Sequence, residues 1–201
     1  MAMHIIVNPD ILTGTDHEKA FLDVSGEPHS AHVTYTVYPG TGAPTTVNEP
    51  MNGQNYVTSP ELFGMSHNKS ALVVAVTSDP NVPSVAVLRQ VLGPVKAGIT
   101  VPSANVTQGT SFNLPVSDVV GGANLYIGNA NAAAANVVVQ YGSSAAPIAN
   151  TVNVPAFGVA KVPIIHSATN LMVTVTNGVA VVVEAVIATR FQLVMPIGPA
   201  V

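Results

Sequence analysis

Residues 171–187 read LMVTVTNGVAVVVEAVI, two apolar runs on either side of Asn177-Gly178. Both runs are rich in valine, with threonine alternating in the first, and β-branched residues of this kind favour strands over helices. Asn-Gly between two such runs is typical of a two-residue β-hairpin turn. The stretch therefore predicts two strands, 171–176 and 179–187, joined as a hairpin.

The chain contains an earlier version of the same pattern. LVVAVT at 72–77 aligns with LMVTVT at 171–176, and TYTVYPGTGAP at 34–44 aligns with VVVQYGSSAAP at 137–147. The alignment places Tyr38 opposite Tyr141. Because the spacing is near 100 residues, which is the usual size of one antiparallel sandwich domain, we expect an internal duplication of a whole domain.

These patterns predict an all-β fold of two tandem antiparallel β-sandwich domains, Ig-like or jelly-roll-like, with an apolar C-terminal tail. The expected boundaries are 1–92 for the first domain, 93–98 for a Gly- and Pro-containing linker, 99–190 for the second domain and 191–201 for the tail. One helical turn is expected at 15–18, where the spacing fits a capping box.

The order of strands and turns in 124–188 resembles the immunoglobulin-like modules that occur in tandem in phage virion proteins, both decoration and tail proteins, and in bacterial surface proteins. The resemblance implies a fold. It implies no functional residue, because the chain lacks the Cys and Trp of antibody-type domains.

Charge is scarce: Lys and Arg total 6 and Asp and Glu total 10 in 201 residues, or 8%, where a soluble domain has roughly 25%. Such a chain is expected to cover its surface in an assembly. Without a basic cluster, a nucleic-acid partner is excluded, since phosphates need clustered positive charge. No apolar run approaches the roughly 20 residues of a membrane-spanning helix, so no membrane span is expected.

The sequence predicts no enzyme and no cofactor. It has no Cys and no G-x-S-x-G motif, and its carboxylates are scattered. His29-Ser-Ala-His32, near His17, Glu18 and Glu27, could suggest a metal site. Pro28 disfavours the helix that would place both histidines on one face, so a polar loop without metal is the favoured interpretation.

Two further histidines, His67 and His166, hold equivalent positions in the aligned halves. A duplicated histidine at a strand entry favours a structural role, such as a hydrogen bond to a loop carbonyl. Carbohydrate binding is less favoured, because the chain has no Trp and its tyrosines lie mainly in strand patterns.

The C-terminal tail is almost wholly apolar, and we expect it to pack on a neighbouring subunit. The alternative is a last strand within its own domain, which Pro196 and Pro199 oppose in a sheet interior. The predicted inter-subunit contacts are Phe191, Leu193, Val194, Met195, Ile197 and Val201.

A charge-poor chain whose first residues do not resemble an export signal fits a protein that assembles inside a host cell and works outside it. The expectation is a non-enzymatic virion protein, foremost a phage capsid decoration or cement protein. Its expected partners are copies of itself, a trimer being one form, and the major capsid protein or other virion proteins. The alternatives are a phage tail or fibre adaptor, a secreted bacterial adhesin or surface-layer module at the cell surface, and, less favoured, a carbohydrate-binding module.

Overall fold

A computed structural model gives the fold, and the residues that it describes form antiparallel β-sheets with no helix among them. The all-β class is thereby confirmed for this part of the chain. The helical turn expected at 15–18 lies outside it. The described residues are 2–8, 19–26, 32–40, 42–50, 56–58, 70–77, 84–92, 97–102, 104–105, 111–114, 123–143, 146–164, 171–175, 182–187 and 193–196.

The strands follow the β-branched runs of the sequence. Those of the first half are β1 (Ala2–Asn8), β2 (Lys19–Gly26), β3 (His32–Pro39), β4 (Thr45–Pro50), β5 (Tyr56–Thr58), β6 (Ala71–Thr77), β7 (Ser84–Leu92), β8 (Ala97–Pro102) and β9 (Ala104–Asn105). Those of the second half are β10 (Ser111–Leu114), β11 (Ala123–Asn129), β12 (Ala135–Ser143), β13 (Ala146–Val154), β14 (Gly158–Ile164), β15 (Leu171–Val175), β16 (Val182–Ile187) and β17 (Leu193–Pro196).

The chain divides into two compact units, Met1–Asn105 and Val106–Val201. This boundary differs from the expected linker at 93–98. β8 pairs with β7 and β9 pairs with β1, so residues 97–105 belong to sheets of the first unit. The error has a simple cause, since a Gly-Pro pair is as typical of a turn between strands as of a linker.

Each unit contains two sheets, and the two units share one order of strands. The first unit has the orders β4-β3-β6-β1-β9 and β5-β2-β7-β8. The second has β13-β12-β15-β10 and β14-β11-β16-β17. Replacing β1–β8 by β10–β17 in sequence converts the first arrangement into the second, with β9 as an addition at one edge. The two units are therefore built on the same eight-strand plan.

The ladders agree with the residue alignment expected from the sequence, because Tyr38 pairs with Leu72 of β6 and the aligned Tyr141 pairs with the aligned Leu171 of β15. The alignment does not match burial on β3 and β12, however. It equates Tyr35 with Val138, yet Tyr35 is fully buried and Val138 is half-buried. It also equates the half-buried Thr36 with the fully buried Val139. Because successive residues of a strand point to opposite faces, the buried positions of β12 are displaced by one residue from those of β3 in this alignment.

The hairpin predicted at Asn177-Gly178 is also wrong. β15 pairs with β10 and β12 in one sheet, whereas β16 pairs with β11 and β17 in the other. β15 and β16 therefore lie in different sheets, as β6 and β7 do in the first unit. An Asn-Gly pair favours a tight turn, but it does not decide which strands pair.

The core consists of small and β-branched side chains. On β3, Val33, Tyr35 and Val37 are buried while Thr34 and Thr36 are half-buried, which is the alternation of a strand with one face covered. The central strands β6 and β11 differ, because Ala71–Val73 and 125–129 are buried consecutively. Both faces of these strands are covered at those positions, and the residues there are apolar or glycine except for Asn129.

Candidate functional site

The sequence-predicted contact residues fall into two groups. Phe191, Ile197 and Val201, like His67 and His166, lie outside the described residues. The other three, Leu193, Val194 and Met195, form β17 and pair with Ile187, Val186 and Ala185 of β16.

β17 is the last strand in the order of its sheet. Pro196 is its final residue, and an edge strand tolerates proline because one side of its backbone makes no ladder bonds. The backbone of this part of the tail is thus paired within its own unit. Contact of its side chains with a second subunit stays a prediction.

β13 is a long edge strand whose exposure sequence reasoning did not predict. Ala149, Asn150, Thr151 and Asn153 are exposed, and Ile148 and Val152 are half-buried, so that both faces of the strand are open. The strand pairs with β12 on one side along its full length. No described strand pairs with its other side.

β13 also differs from the other described edges in its sequence. β4 carries Glu49 and Pro50, β14 carries Lys161 and Pro163, and β8 and β17 each end in proline. The remaining edges, β5, β9 and β10, are four residues long or shorter. Charge, proline and shortness are the usual protections of an edge against pairing with another chain. Residues 148–154 of β13 have none of them.

The end of β13 is held by Asn129, a buried residue with 0% exposure at the end of β11. Its Nδ2 donates to the carbonyl oxygen of Ala133 at 2.8 Å and lies 3.4 Å and 3.3 Å from the carbonyl oxygens of Val154 and Pro155. Its Oδ1 accepts hydrogen bonds from the backbone N and Nδ2 of Asn131 at 3.0 Å and 3.1 Å. One side chain therefore joins the loop after β11 to the point where β13 ends.

The turn from β13 to β14 is tightly built. Phe157 has a φ of 47°, a left-handed conformation that is uncommon for a large side chain. Its backbone N donates a 3.1 Å hydrogen bond to the carbonyl oxygen of Asn131, which holds the turn against the same loop. Gly158 leaves no room for a side chain, because an added Cβ would lie 2.7 Å from Cγ of Pro155. The open edge of β13 therefore ends at a turn whose conformation is closely constrained.

Charge is rare among the residues whose side-chain exposure the structure describes. Lys161 is the one charged residue that is exposed there, and Asp23 and Glu49 are half-buried. The Nζ of Lys161 lies 5.6 Å from the ring centroid of Tyr126, within the range of a cation–π interaction. The other exposed side chains are mainly Thr, Asn, Ala and Pro. Three hydrogen bonds between neighbouring strands on this surface join neutral groups: Thr34 with Asn48 at 2.7 Å, Thr36 with Thr46 at 3.2 Å, and Asn136 with Asn153 at 3.0 Å.

One buried polar group stands apart from this pattern. The hydroxyl of Tyr35 is buried and has no hydrogen-bond partner in the described part of the chain. Burial raises the pKa of this phenol well above its ordinary value, and the negative charges of Glu49 and Asp23 raise it further. The group is therefore held in its neutral form.

Neither a metal site nor a membrane-spanning helix occurs in the described part of the chain. His32, one of the histidines considered for a metal, is exposed at the start of β3. The described residues contain no group of three His, Cys, Asp or Glu side chains placed to hold a metal ion. They also contain no helix that is long and apolar enough to cross a membrane.

Comparison with family models finds no match, and comparisons with curated proteins and with solved structures find no significant similarity. The functional argument therefore rests on the chain's own chemistry.

Proposed function

We propose that this chain is a non-enzymatic structural protein of a phage virion, and specifically a capsid decoration protein that binds the outside of an assembled shell. The observation that supports this most is the location of the charge depletion. Among the residues whose side-chain exposure the structure describes, Lys161 is the one charged residue that is exposed, and the other exposed residues are neutral. A surface of this composition suits extensive contact with neighbouring proteins, because few charges must be removed from water on binding.

We also propose that the two sheets of each unit pack face to face as a β-sandwich, giving two tandem sandwiches. The alternating burial on β3 and β12 supports this arrangement. So does the proximity of β1 to β7 and of β13 to β14, since each pair joins different sheets of one unit.

The test begins with the gene's neighbours. A decoration protein is expected to be encoded near portal, terminase and major-capsid genes. The purified chain is then mixed with empty shells made from the neighbouring major capsid protein, and binding is measured by co-sedimentation. Saturable binding that raises the shell's melting temperature is the expected result. Failure to bind shells, or a gene that lies among secretion and surface-protein genes, would contradict the proposal and favour the adhesin alternative.

The C-terminal tail is tested separately. Removal of 195–201 would delete two residues of β17, so the sharper variant ends after Pro196 and leaves the pairing with β16 intact. If the tail packs on a neighbour, this variant keeps its unfolding temperature and loses affinity for the shell or for other copies. Unchanged assembly would show that 197–201 are not a contact.

A further inference from the structure

The open edge of β13 presents the groups that another β-strand needs. Between Ile148 and Asn153 the backbone pairs with β12 on one side, and the N–H and C=O groups directed to the other side have no described partner. The strand is uncharged over its whole length, and its proline, Pro147, lies at the second position, away from the open stretch. An edge of this kind pairs readily with a strand of another chain.

The sequence of the strand is complementary to itself. When two copies run antiparallel about a two-fold axis at Asn150, Ile148 stands opposite Val152 of the other copy, and Ala149 stands opposite Thr151. Asn150 stands opposite its own copy, and a side-chain amide can both donate to and accept from another amide. No like charges meet anywhere in this register, whereas a charged residue at the axis would face the same charge on the other copy.

The exposure of β13 agrees with an edge that no described strand covers. Asn150 stands opposite Val139 of β12, which is fully buried, yet Asn150 itself is exposed. Ile148 and Val152, on the same face, are half-buried. An added strand would cover both apolar side chains and extend the sheet.

We propose that β13 pairs with β13 of a second copy of this chain, antiparallel about Asn150, to form a continuous eight-stranded sheet across a two-fold axis. The partner is a second copy because the pairing is symmetric, and an isologous contact uses one surface twice. As a route to assembly, this inference rests on the proposed structural role.

Two variants test the pairing in the full-length protein. N150K places two positive charges against each other at the axis, and its matched control, T45K, places the same charge on the exposed edge strand β4. Sedimentation velocity over a range of concentrations measures the mass. Wild type and T45K are expected to dimerise, and N150K is expected to raise the dissociation constant at least about tenfold. Circular dichroism verifies that N150K is folded.

A cysteine cross-link tests the register, and the chain contains no cysteine that would interfere. Directly opposed residues of antiparallel strands have Cα atoms about 4.5–5.5 Å apart, within the range that a disulfide spans. N150C should therefore form a disulfide-linked dimer on mild oxidation, whereas A43C, exposed outside β13, should not.

The outcomes separate this inference from the proposed function. An oligomer whose mass N150K leaves unchanged, with no more cross-linking of N150C than of A43C, overturns the pairing and leaves a structural role in place. Pairing of β13 with a strand of the capsid protein, seen as a cross-link of N150C to that protein alone, overturns the proposal of a second copy. A chain that stays monomeric at every concentration and binds no shell overturns both.

Discussion

The side-chain nitrogen of Asn129 donates a 2.8 Å hydrogen bond to the carbonyl oxygen of Ala133, closing the loop that follows β11. The same nitrogen reaches the carbonyl oxygens at the end of β13. A buried amide with this many partners is costly to remove, because each partner is then left without its hydrogen bond. Asn129 therefore fixes the corner at which the open edge of β13 ends.

Asn129→Ala is expected to lower the free energy of unfolding by about 2–4 kcal/mol. The variant removes the donor to three carbonyl oxygens and the acceptor for Asn131. Urea unfolding followed by circular dichroism measures the change. The control is Asn153→Ala, which removes an exposed hydrogen bond to Asn136 and should change stability by no more than about 0.5 kcal/mol. Equal effects of the two variants would contradict the assigned role of Asn129.

Gly158→Ala should destabilise the turn between β13 and β14 by about 1–3 kcal/mol, because its Cβ would lie 2.7 Å from Cγ of Pro155. Gly40→Ala is the matched control. There the added Cβ would lie 3.6 Å from the carbonyl oxygen of Ser70, an ordinary contact, so little change is expected. Thermal unfolding of both variants provides the comparison. A tolerated alanine at 158 would mean that the turn can open without cost.

The positions of the strands could be predicted from the sequence, whereas the pairing of the strands could not. The valine and threonine runs predict strands because β-branching acts locally, and most strands lie where the runs are. The pairing of β15 with β12 instead of β16 could not be foreseen from Asn177-Gly178, since it depends on which distant strands bury their faces together. The difference in burial between aligned positions of β3 and β12 could not be foreseen either. Thr36 and Val139 are β-branched residues of similar size, so a sequence alignment matches them although Thr36 is half-buried and Val139 is buried.

The candidate site was less visible than the fold. The nine residues of β13 do contain a signal, namely the absence of charge together with a single proline near the start. That signal becomes informative only when the other edges are known, because an uncharged strand is unremarkable in a sheet interior. Asn129 has no signal at all, since a buried asparagine and a loop asparagine look the same in sequence.

Tyr35→Phe is expected to raise the free energy of unfolding by roughly 1 kcal/mol, since the variant removes a buried hydroxyl that has no described hydrogen-bond partner and keeps the packed ring. Tyr38→Phe, on the opposite face of the same strand, is the control. Tyr38 is half-buried, and its hydroxyl is not a buried group that lacks a hydrogen-bond partner, so no gain in the free energy of unfolding is expected. A loss of stability in Tyr35→Phe would mean that the hydroxyl is hydrogen-bonded in solution.

The Tyr35 hydroxyl should also make the free energy of unfolding depend on pH in the alkaline range. In the unfolded chain a tyrosine releases its proton near pH 10, whereas in the folded protein burial, with help from Glu49 and Asp23, raises the pKa of Tyr35. Above about pH 10 the unfolded state therefore binds fewer protons than the folded state, and stability falls as pH rises.

The slope assigned to this one group approaches about 1.4 kcal/mol per pH unit between its unfolded and folded pKa values. Below about pH 10 the group contributes no slope, because Tyr35 is then protonated in both states. The measurement is the difference in the free energy of unfolding between wild type and Tyr35→Phe, obtained by urea unfolding from about pH 8 to pH 11, because this difference isolates the contribution of the one group. Above about pH 10 the variant should lose less stability than wild type, and the difference in the free energy of unfolding between the two should increase as pH rises. Parallel profiles would mean that the Tyr35 phenol reaches water in the folded protein, because an accessible phenol ionises alike in both states.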